Sequence, residues 1–411
     1  MITRRQLLNR AATLAAYAST AALVGSPGLA GTADLGPAGL PSGARDAGVL
    51  DALPGKKPLI KRSYRPPNYE TPTDIFEQAF TPNDQFFVRW HLSNIPEVDA
   101  ADWRLKVGGD GSSTPFELSL SQLEMDFEQV ELTALCQCAG NRRGLSDPHV
   151  MGIQWGNGAM GNAKWRGVRL KDILAKAGLT KDVIEIAFNG GESGVIEETP
   201  DFVKSIPTWK ALDENTLIAT HMNGEPLPHW NGYPARLIVP GWTATYWTKQ
   251  VTDISALTKP QGGYWMAKAY RVPLGTFSFT DRFITQETDA NTPITEIVVN
   301  SLITSLSDGQ ALAVGKSIDV RGIAWDGGRG ITEVDVSTDG GQTWRPAVLG
   351  KDLGRFSWRQ WSLPFTPPVP GRYVVMARAT NAQGVTQVTR LIFSPSGYHN
   401  NVIQTVTVEA T

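Results

Sequence analysis

Cysteine is nearly missing from this chain: its 411 residues hold two, Cys136 and Cys138. Two positions apart, they are poorly placed for a structural disulfide, so no disulfide framework is expected in any compartment. An excess of either charge is missing as well. The net charge of -2, with 19% of residues charged, leaves no basic footprint for nucleic acid. The five histidines (His91, His149, His221, His229 and His399) show no zinc-like spacing with one another or with the cysteines. There is no Cys-x-x-Cys-His, so no covalently attached c-type haem is expected in this chain. Gly309 to Ser317 imitates a phosphate-binding loop with a spacer one residue too long. Gly108-Gly109-Asp110-Gly111 reads as a turn, no serine-hydrolase elbow is found, and the chain has no internal repeats.

Glycine (41), proline (27) and tryptophan (13) are abundant, which favours a turn-rich, strand-rich fold with aromatic-lined clefts over a helical bundle. The length is enough for two domains with large cores. Residues 1–30 read as a targeting segment: Thr3-Arg4-Arg5, a small apolar stretch from Ala11 to Val24, then Ser26-Pro27-Gly28-Leu29-Ala30. The stretch is too short and alanine-rich for a membrane span of about 20 residues. Paired arginines ahead of it are similar to a twin-arginine export signal, with an ordinary secretory signal as the alternative. The expected destination is the periplasm. That route carries folded proteins, which suits a cofactor inserted before export.

Residues 31–70 read as a linker and an extended N-terminal arm passing through Lys61-Arg62-Ser63-Tyr64-Arg65-Pro66-Pro67. Residues 71–285 alternate strand and helix signals irregularly. Asn83 to Asn94 is predicted as a buried strand, carrying Phe86, Phe87, Val88 and Trp90. A short amphipathic helix is predicted to open at Val168–Leu174 and stop at Gly178, and Ala235–Val239 is a short strand. From 286 to 411 the pattern changes to alternation, as in Ser317–Trp325 and Arg372–Arg378, with turns at Asp326-Gly327-Gly328 and Asp339-Gly340-Gly341. Evenly spaced strands predict an immunoglobulin-like sandwich lacking the cysteine pair of antibody domains. The fold class is α+β: a mixed α/β domain followed by a β-sandwich.

Chemistry concentrates in Leu135-Cys136-Gln137-Cys138-Ala139-Gly140-Asn141-Arg142-Arg143. A thiolate is a soft metal ligand, and arginine grips oxyanions through paired hydrogen bonds. A metal beside a bound anion is one reading; two buried thiols filling a strand is the other.

Five motifs in register decide how this run is read. They are Phe86-Phe87-Val88-Arg89-Trp90-His91, Cys138 to Arg143, Gly152-Ile153-Gln154-Trp155-Gly156, Gly161 to Val168, and Gly232-Tyr233-Pro234-Ala235-Arg236 to Trp242. Together with Val336 to Trp344 in the sandwich region, the series resembles the sulfite oxidase family of molybdenum enzymes. Among them it looks most like bacterial periplasmic sulfite dehydrogenases. The resemblance covers nearly the whole chain after the targeting segment. It implies a sulfite-oxidase-type molybdopterin domain and a molybdenum centre with one pterin, ligated by Cys138, with Cys136 a bystander. It implies that Arg89 and Arg143 face the substrate oxyanion, that Trp155 and Tyr270 line the same pocket, and that His91, Arg236 and Lys249 hold the pterin and its phosphate. One position departs from the family: Asn231 stands where histidine is frequent, which puts that pterin contact in doubt. The implied substrate is sulfite and the implied acceptor an external c-type cytochrome, in a homodimer or a heterodimer with a haem subunit. Alternatives are the molybdenum subunit of a sulfane dehydrogenase, an assimilatory nitrate reductase, a methionine sulfoxide reductase, and a non-catalytic periplasmic oxyanion-binding protein.

Overall fold

The computed structural model describes residues 49–411; the expected targeting segment and the first part of the linker lie outside the described residues. Three large sheets build the first body, and a two-stranded pair, Arg271–Pro273 with Asn291–Pro293, follows them. An antiparallel four-stranded sheet takes Leu50–Asp51, Leu59–Ser63, Asn68–Glu70 and Val88–Arg89 in that order. A five-stranded mixed sheet runs Lys204–Pro207, Glu185–Gly190, Val251–Leu257, Arg104–Gly108, Phe116–Ser119. Its one parallel pair joins Val251–Leu257 to Arg104–Gly108. In the third sheet the long strand Gln129–Gln137 pairs antiparallel with Met160–Arg169, in register from Gln129 opposite Val168 to Gln137 opposite Met160. Leu217–Met222 follows, with Arg236–Ile238 and Glu225–Pro226 beside it. Between the second and third sheets lies one core that includes Phe86, Leu105, Ile173, Trp165, Ile218 and Trp247. Burying a side chain of this size stabilises the fold by about 1.5–3 kcal/mol.

The second body is an immunoglobulin-like sandwich. One sheet orders Asn300–Ile303, Ile318–Trp325, Arg359–Phe365 and Val348–Leu349; the other orders Gln310–Leu312, Gln404–Ala410, Gly371–Asn381, Ile331–Ser337 and Arg345–Pro346. Inward residues of both sheets, among them Val320, Val334, Leu363, Val375 and Val408, close its core. The turns at Gly328, Gly340 and Gly341 have positive φ, where a side chain is strained.

The two bodies share a buried seam. Phe76, Leu135 and Met160 pack against Ile297, Trp325 and Trp358, and the Trp325 indole donates to Gln137 Oε1 at 2.6 Å. Arg142, in the left-handed region at φ 67°, donates to Asn300 Oδ1 at 2.9 Å, while its carbonyl accepts from Asn400 Nδ2. The chain segment after Cys138 is therefore pinned by the sandwich.

Three local expectations need correction. The region 83–94 is not one strand: Asn83–Gln85 is a 3-10 turn and only Val88–Arg89 pairs in a sheet. Its polar backbone groups are satisfied elsewhere. Carbonyls of Asn83 and Phe86 accept from the Lys56 ammonium, and the N–H groups of His91 and Leu92 donate to the Glu192 carboxylate. Backbone pairing is obligatory but need not be with backbone. The helix is Leu170–Ala177, because Val168 and Arg169 finish the strand before it; it stops at Gly178 with φ 62°. Nor is the arm simply extended: Leu59–Ser63 and Asn68–Glu70 form a hairpin.

Candidate functional site

At the end of the strand Gln129–Gln137 the chain turns, Asn141 N donating to Cys138 O at 3.0 Å, and this turn presents Cys138 to a narrow cavity. Gly140 lets the Arg143 side chain lie against the turn: a Cβ there would stand 2.6 Å from its guanidinium and displace it. Strand alternation puts Cys136 and Cys138 on one face, yet their surroundings differ. Cys138 lines the cavity, whereas Cys136 is sealed and its sulfur accepts from Arg236 Nη2 at 3.2 Å. Burial pushes the Cys136 thiol up to about 11, Arg236 opposing, so it stays neutral. Its contact means that Cys136 is more than a bystander: it helps seat Arg236.

One wall of the cavity comes from Val88–Arg89, the residues just after it, and Tyr270. The Arg89 guanidinium donates to the Tyr270 hydroxyl at 3.2 Å and to the Trp90 carbonyl, and His91 Nε2 makes a short hydrogen bond to the same hydroxyl. Tyr270 sits at φ 57°, and its ring stacks on Tyr398 of the sandwich body with centroids 5.8 Å apart. The His91 ring stacks on Phe202 at 3.5 Å. Behind His91 lies Glu192, fully buried, accepting from His91 N at 2.8 Å and Leu92 N at 2.9 Å. Its carboxylate stands 3.5 Å from Lys249 Nζ and 3.7 Å from His91 Nδ1, too far in the latter case for a hydrogen bond. Burial raises its pKa, but Lys249 and the backbone donors outweigh that and hold it at about 2. Burial and then Arg89 pull His91 well below its usual range, so the imidazole is neutral. Lys249 is drawn down to about 8, first by burial, with the charges of Arg236 and Arg89 adding to it.

The opposite wall holds Arg236 and Asn231. Arg236 donates to the Asn231 carbonyl at 3.1 Å and lies over the rings of Trp165 and Trp247. Its Nε is buried with no partner. Asn231 Nδ2 donates to the Phe87 carbonyl at 3.0 Å, and Asn231 Oδ1 accepts from Lys56 Nζ at 2.6 Å. Thr245 lines the cavity with a buried hydroxyl that also has no partner.

Of the nine residues expected at the site, seven line this one cavity: Arg89, His91, Cys138, Asn231, Arg236, Lys249 and Tyr270. Arg143 and Trp155 do not. Arg143 donates to Ser396 O at 2.7 Å and to Ile153 O at 3.1 Å, and lies 5.3 Å from the centre of the Tyr398 ring. Its carbonyl partners turn it toward the sandwich, although its charge still reaches Tyr270. Trp155 is buried in the core that also includes Cys138, its indole N–H without a partner. The residues that motif reasoning missed are Glu192, Tyr398, Thr245 and Lys56. Glu192 follows Gly190-Gly191, an ordinary turn signal in sequence, and Tyr398 sits in the last loop of the sandwich region.

The donor set fits a molybdenum–pterin group. No carboxylate lines the cavity, while Arg89, Arg236 and Lys249 do, and three buried polar atoms of its lining residues, Arg236 Nε, Thr245 Oγ1 and His91 Nδ1, lack partners. Such a set calls for an anionic group rich in acceptors. Among the described residues no three His, Cys, Asp or Glu side chains come together, so a metal beside Cys138 would need its other ligands from a cofactor.

Comparison with known proteins agrees. Residues 91–265 match the oxidoreductase molybdopterin binding domain, and residues 291–411 the Mo-co oxidoreductase dimerisation domain. The mitochondrial sulfite oxidase of Homo sapiens is 36% identical over 330 residues, 77% of this chain and 58% of that protein, so the match spans little more than half of the human relative. The sulfite oxidase of Gallus gallus is 34% identical over 333 residues, 77% of this chain and 70% of its own length. Among solved structures, the sulfane dehydrogenase SoxCD from Paracoccus pantotrophus superposes with a TM-score of 0.69 over 92% of both chains, at 26% identity. The domain matches, the identity over most of the chain and a cavity that sets one thiol among cations lead to one assignment: the chain belongs to the sulfite oxidase family of molybdenum enzymes.

Proposed function

We propose that the chain oxidises sulfite to sulfate at a molybdenum–pterin centre and passes the electrons singly to a c-type cytochrome. The observation that carries this reading is the cavity itself: Cys138 opens into it beside Arg89, Arg236 and Lys249, with no carboxylate in its lining. Cys138 would supply the protein's one ligand to the metal, as a thiolate. Arg236, Lys249 and the Thr245 hydroxyl would hold the anionic end of the pterin. The bound group supplies the two-electron redox chemistry. Arg89 holds the sulfite oxyanion and at the same time aims the Tyr270 hydroxyl, which it contacts at 3.2 Å. Arg143 adds positive potential from behind Tyr398, with one guanidinium edge spent on carbonyls. Neutral His91 keeps the Tyr270 hydroxyl hydrogen-bonded, and Glu192, ionised at working pH, orients His91 without competing for its proton.

The Arg4-Arg5 segment supports export to the periplasm by the twin-arginine route. The match of 291–411 to a dimerisation domain supports pairing of two copies through the sandwich, with a heterodimer containing a haem subunit as the other assembly. A sulfane dehydrogenase activity is the second reading, favoured by the 92% mutual coverage with that solved structure. Sulfite-dependent reduction of cytochrome c by purified, molybdenum-loaded protein separates the two. Saturable reduction with free sulfite as the only donor is expected. Loaded protein that turns over only a sulfane group on a carrier protein would overturn the first reading.

A further inference from the structure

Lys56 belongs to the N-terminal arm, 175 positions before Asn231, and is buried. Its ammonium donates three hydrogen bonds: to Asn83 O at 2.5 Å, Phe86 O at 3.1 Å and Asn231 Oδ1 at 2.6 Å. All three acceptors are neutral. A buried charge satisfied only by neutral oxygens is costly unless something anionic comes near. The charged groups that bear on it are Asp84, which favours its charged form, and Arg236, which opposes it. Asp84 pairs at the surface with Lys57 at 3.0 Å, and Arg236 lines the cavity. With burial as the largest cause, Lys56 is lowered to about 7.

Asn231 is the only one of the three acceptor residues that lines the cavity; Lys56 itself does not. Both ends of the Asn231 amide are engaged, Oδ1 by Lys56 and Nδ2 by the Phe87 carbonyl, and its own carbonyl holds Arg236. A neutral amide on the cavity surface is thus backed directly by a buried lysine. The same lysine ties down the segment 83–86 that leads into Phe87 and Arg89, both of them in the lining.

We infer that Lys56 is a positioning residue of the cofactor site: it sets Asn231 and the 83–86 segment in place and supplies, from behind the wall, the positive charge that Asn231 does not carry. This rests on the reading that a molybdenum–pterin group fills the cavity. An anion there offsets the burial of the ammonium and keeps it protonated. The arm therefore belongs to the cofactor site, although no motif in it suggests so.

The test uses purified holoenzyme and reads cofactor loss as well as turnover. Wild type, Lys56→Met and Lys56→Arg are diluted at pH 7, and pterin fluorescence and molybdenum remaining with the protein are followed over time. Lys56→Met is expected to lose both at least about tenfold faster than wild type, and Lys56→Arg to stay within about threefold of it. Lys56→Gln keeps donors without the charge and serves where Lys56→Met fails to fold; it is expected to lose the cofactor as Lys56→Met does. Equal retention in wild type and in every folded neutral variant would overturn the inference and leave the cofactor reading standing. A wild-type protein purified with no molybdenum and no pterin would overturn the cofactor reading itself.

Discussion

The two walls of the cavity solve the burial of a lysine in opposite ways. On one side, Lys249 has Glu192 behind it, held ionised at about 2 by that ammonium and by the backbone N–H groups of His91 and Leu92. On the other side, Arg236 and Lys56 face a thiol, carbonyls and an amide, with no carboxylate within ion-pair reach. Glu192 compensates Lys249 within the protein, while Arg89 on the same wall is held by the Tyr270 hydroxyl and the Trp90 carbonyl alone, as Arg236 and Lys56 on the other are held by neutral groups. Positive charge without a carboxylate partner is thus left on both walls, at Arg89 and at Arg236, and the one buried carboxylate stands behind Lys249.

Removing one cation from each wall gives the sharpest contrast. Lys249→Met strips Glu192 of its nearest counter-charge and is expected to lower the unfolding free energy by about 3–5 kcal/mol, measured by denaturant titration. Arg236→Met puts an apolar chain between Trp165 and Trp247 and is expected to change the stability of cofactor-free protein by less than about 1 kcal/mol, or to raise it. Equal losses in both variants would erase the distinction.

Acid tests the wall backed by the carboxylate. Glu192 has a folded pKa of about 2 against 4.5 when unperturbed, so its stabilisation is present above 4.5 and lost as pH falls toward 2. The loss amounts to about 3 kcal/mol and should be absent in Glu192→Gln. Alkali tests the other wall. Lys56 in the folded state gives up its proton near 7, the unfolded chain near 10.5. The unfolded state therefore binds more protons between those values, and Lys56 makes the stability of cofactor-free protein rise by about 2 kcal/mol from about pH 7 to 9, read as the difference between wild type and Lys56→Met because Lys249, lowered to about 8, titrates in the same window. Cofactor-loaded protein should show a flatter profile, because the anion keeps the lysine charged.

Much of this was legible in the sequence, for a definable reason. Arg89 and His91 share one short stretch, as do Asn231 and Arg236, and Cys138 precedes a small-residue turn, so local motifs carried them into one cavity. What stayed hidden depends on contacts between distant segments. Glu192 matters because two backbone N–H groups a hundred positions earlier point at it, and those bonds are also why the predicted strand 83–94 breaks up. Arg143 stood in a motif, yet its direction was set by Ser396 in the other body. Lys56 reads as an ordinary arm residue until Asn231 is placed beside it. Periodicity reports which face is buried and is silent about which distant polar group arrives there.

A small effect belongs to the thiol beside Arg236. Cys136→Ala removes one buried sulfur from beside Arg236 and is expected to cost about 1 kcal/mol in a thermal or denaturant melt, with the metal centre retained.

The two thiols also provide the most direct test. X-ray absorption at the molybdenum edge counts the sulfur neighbours of the metal in wild type, Cys136→Ser and Cys138→Ser. One sulfur fewer is expected in Cys138→Ser, with sulfite turnover down by more than about a hundredfold, since even outer-shell changes cost up to that much; Cys136→Ser should match wild type in sulfur count. A Cys138→Ser protein with the full sulfur count, or the loss appearing in Cys136→Ser instead, would contradict the assignment of Cys138 as the metal's protein ligand.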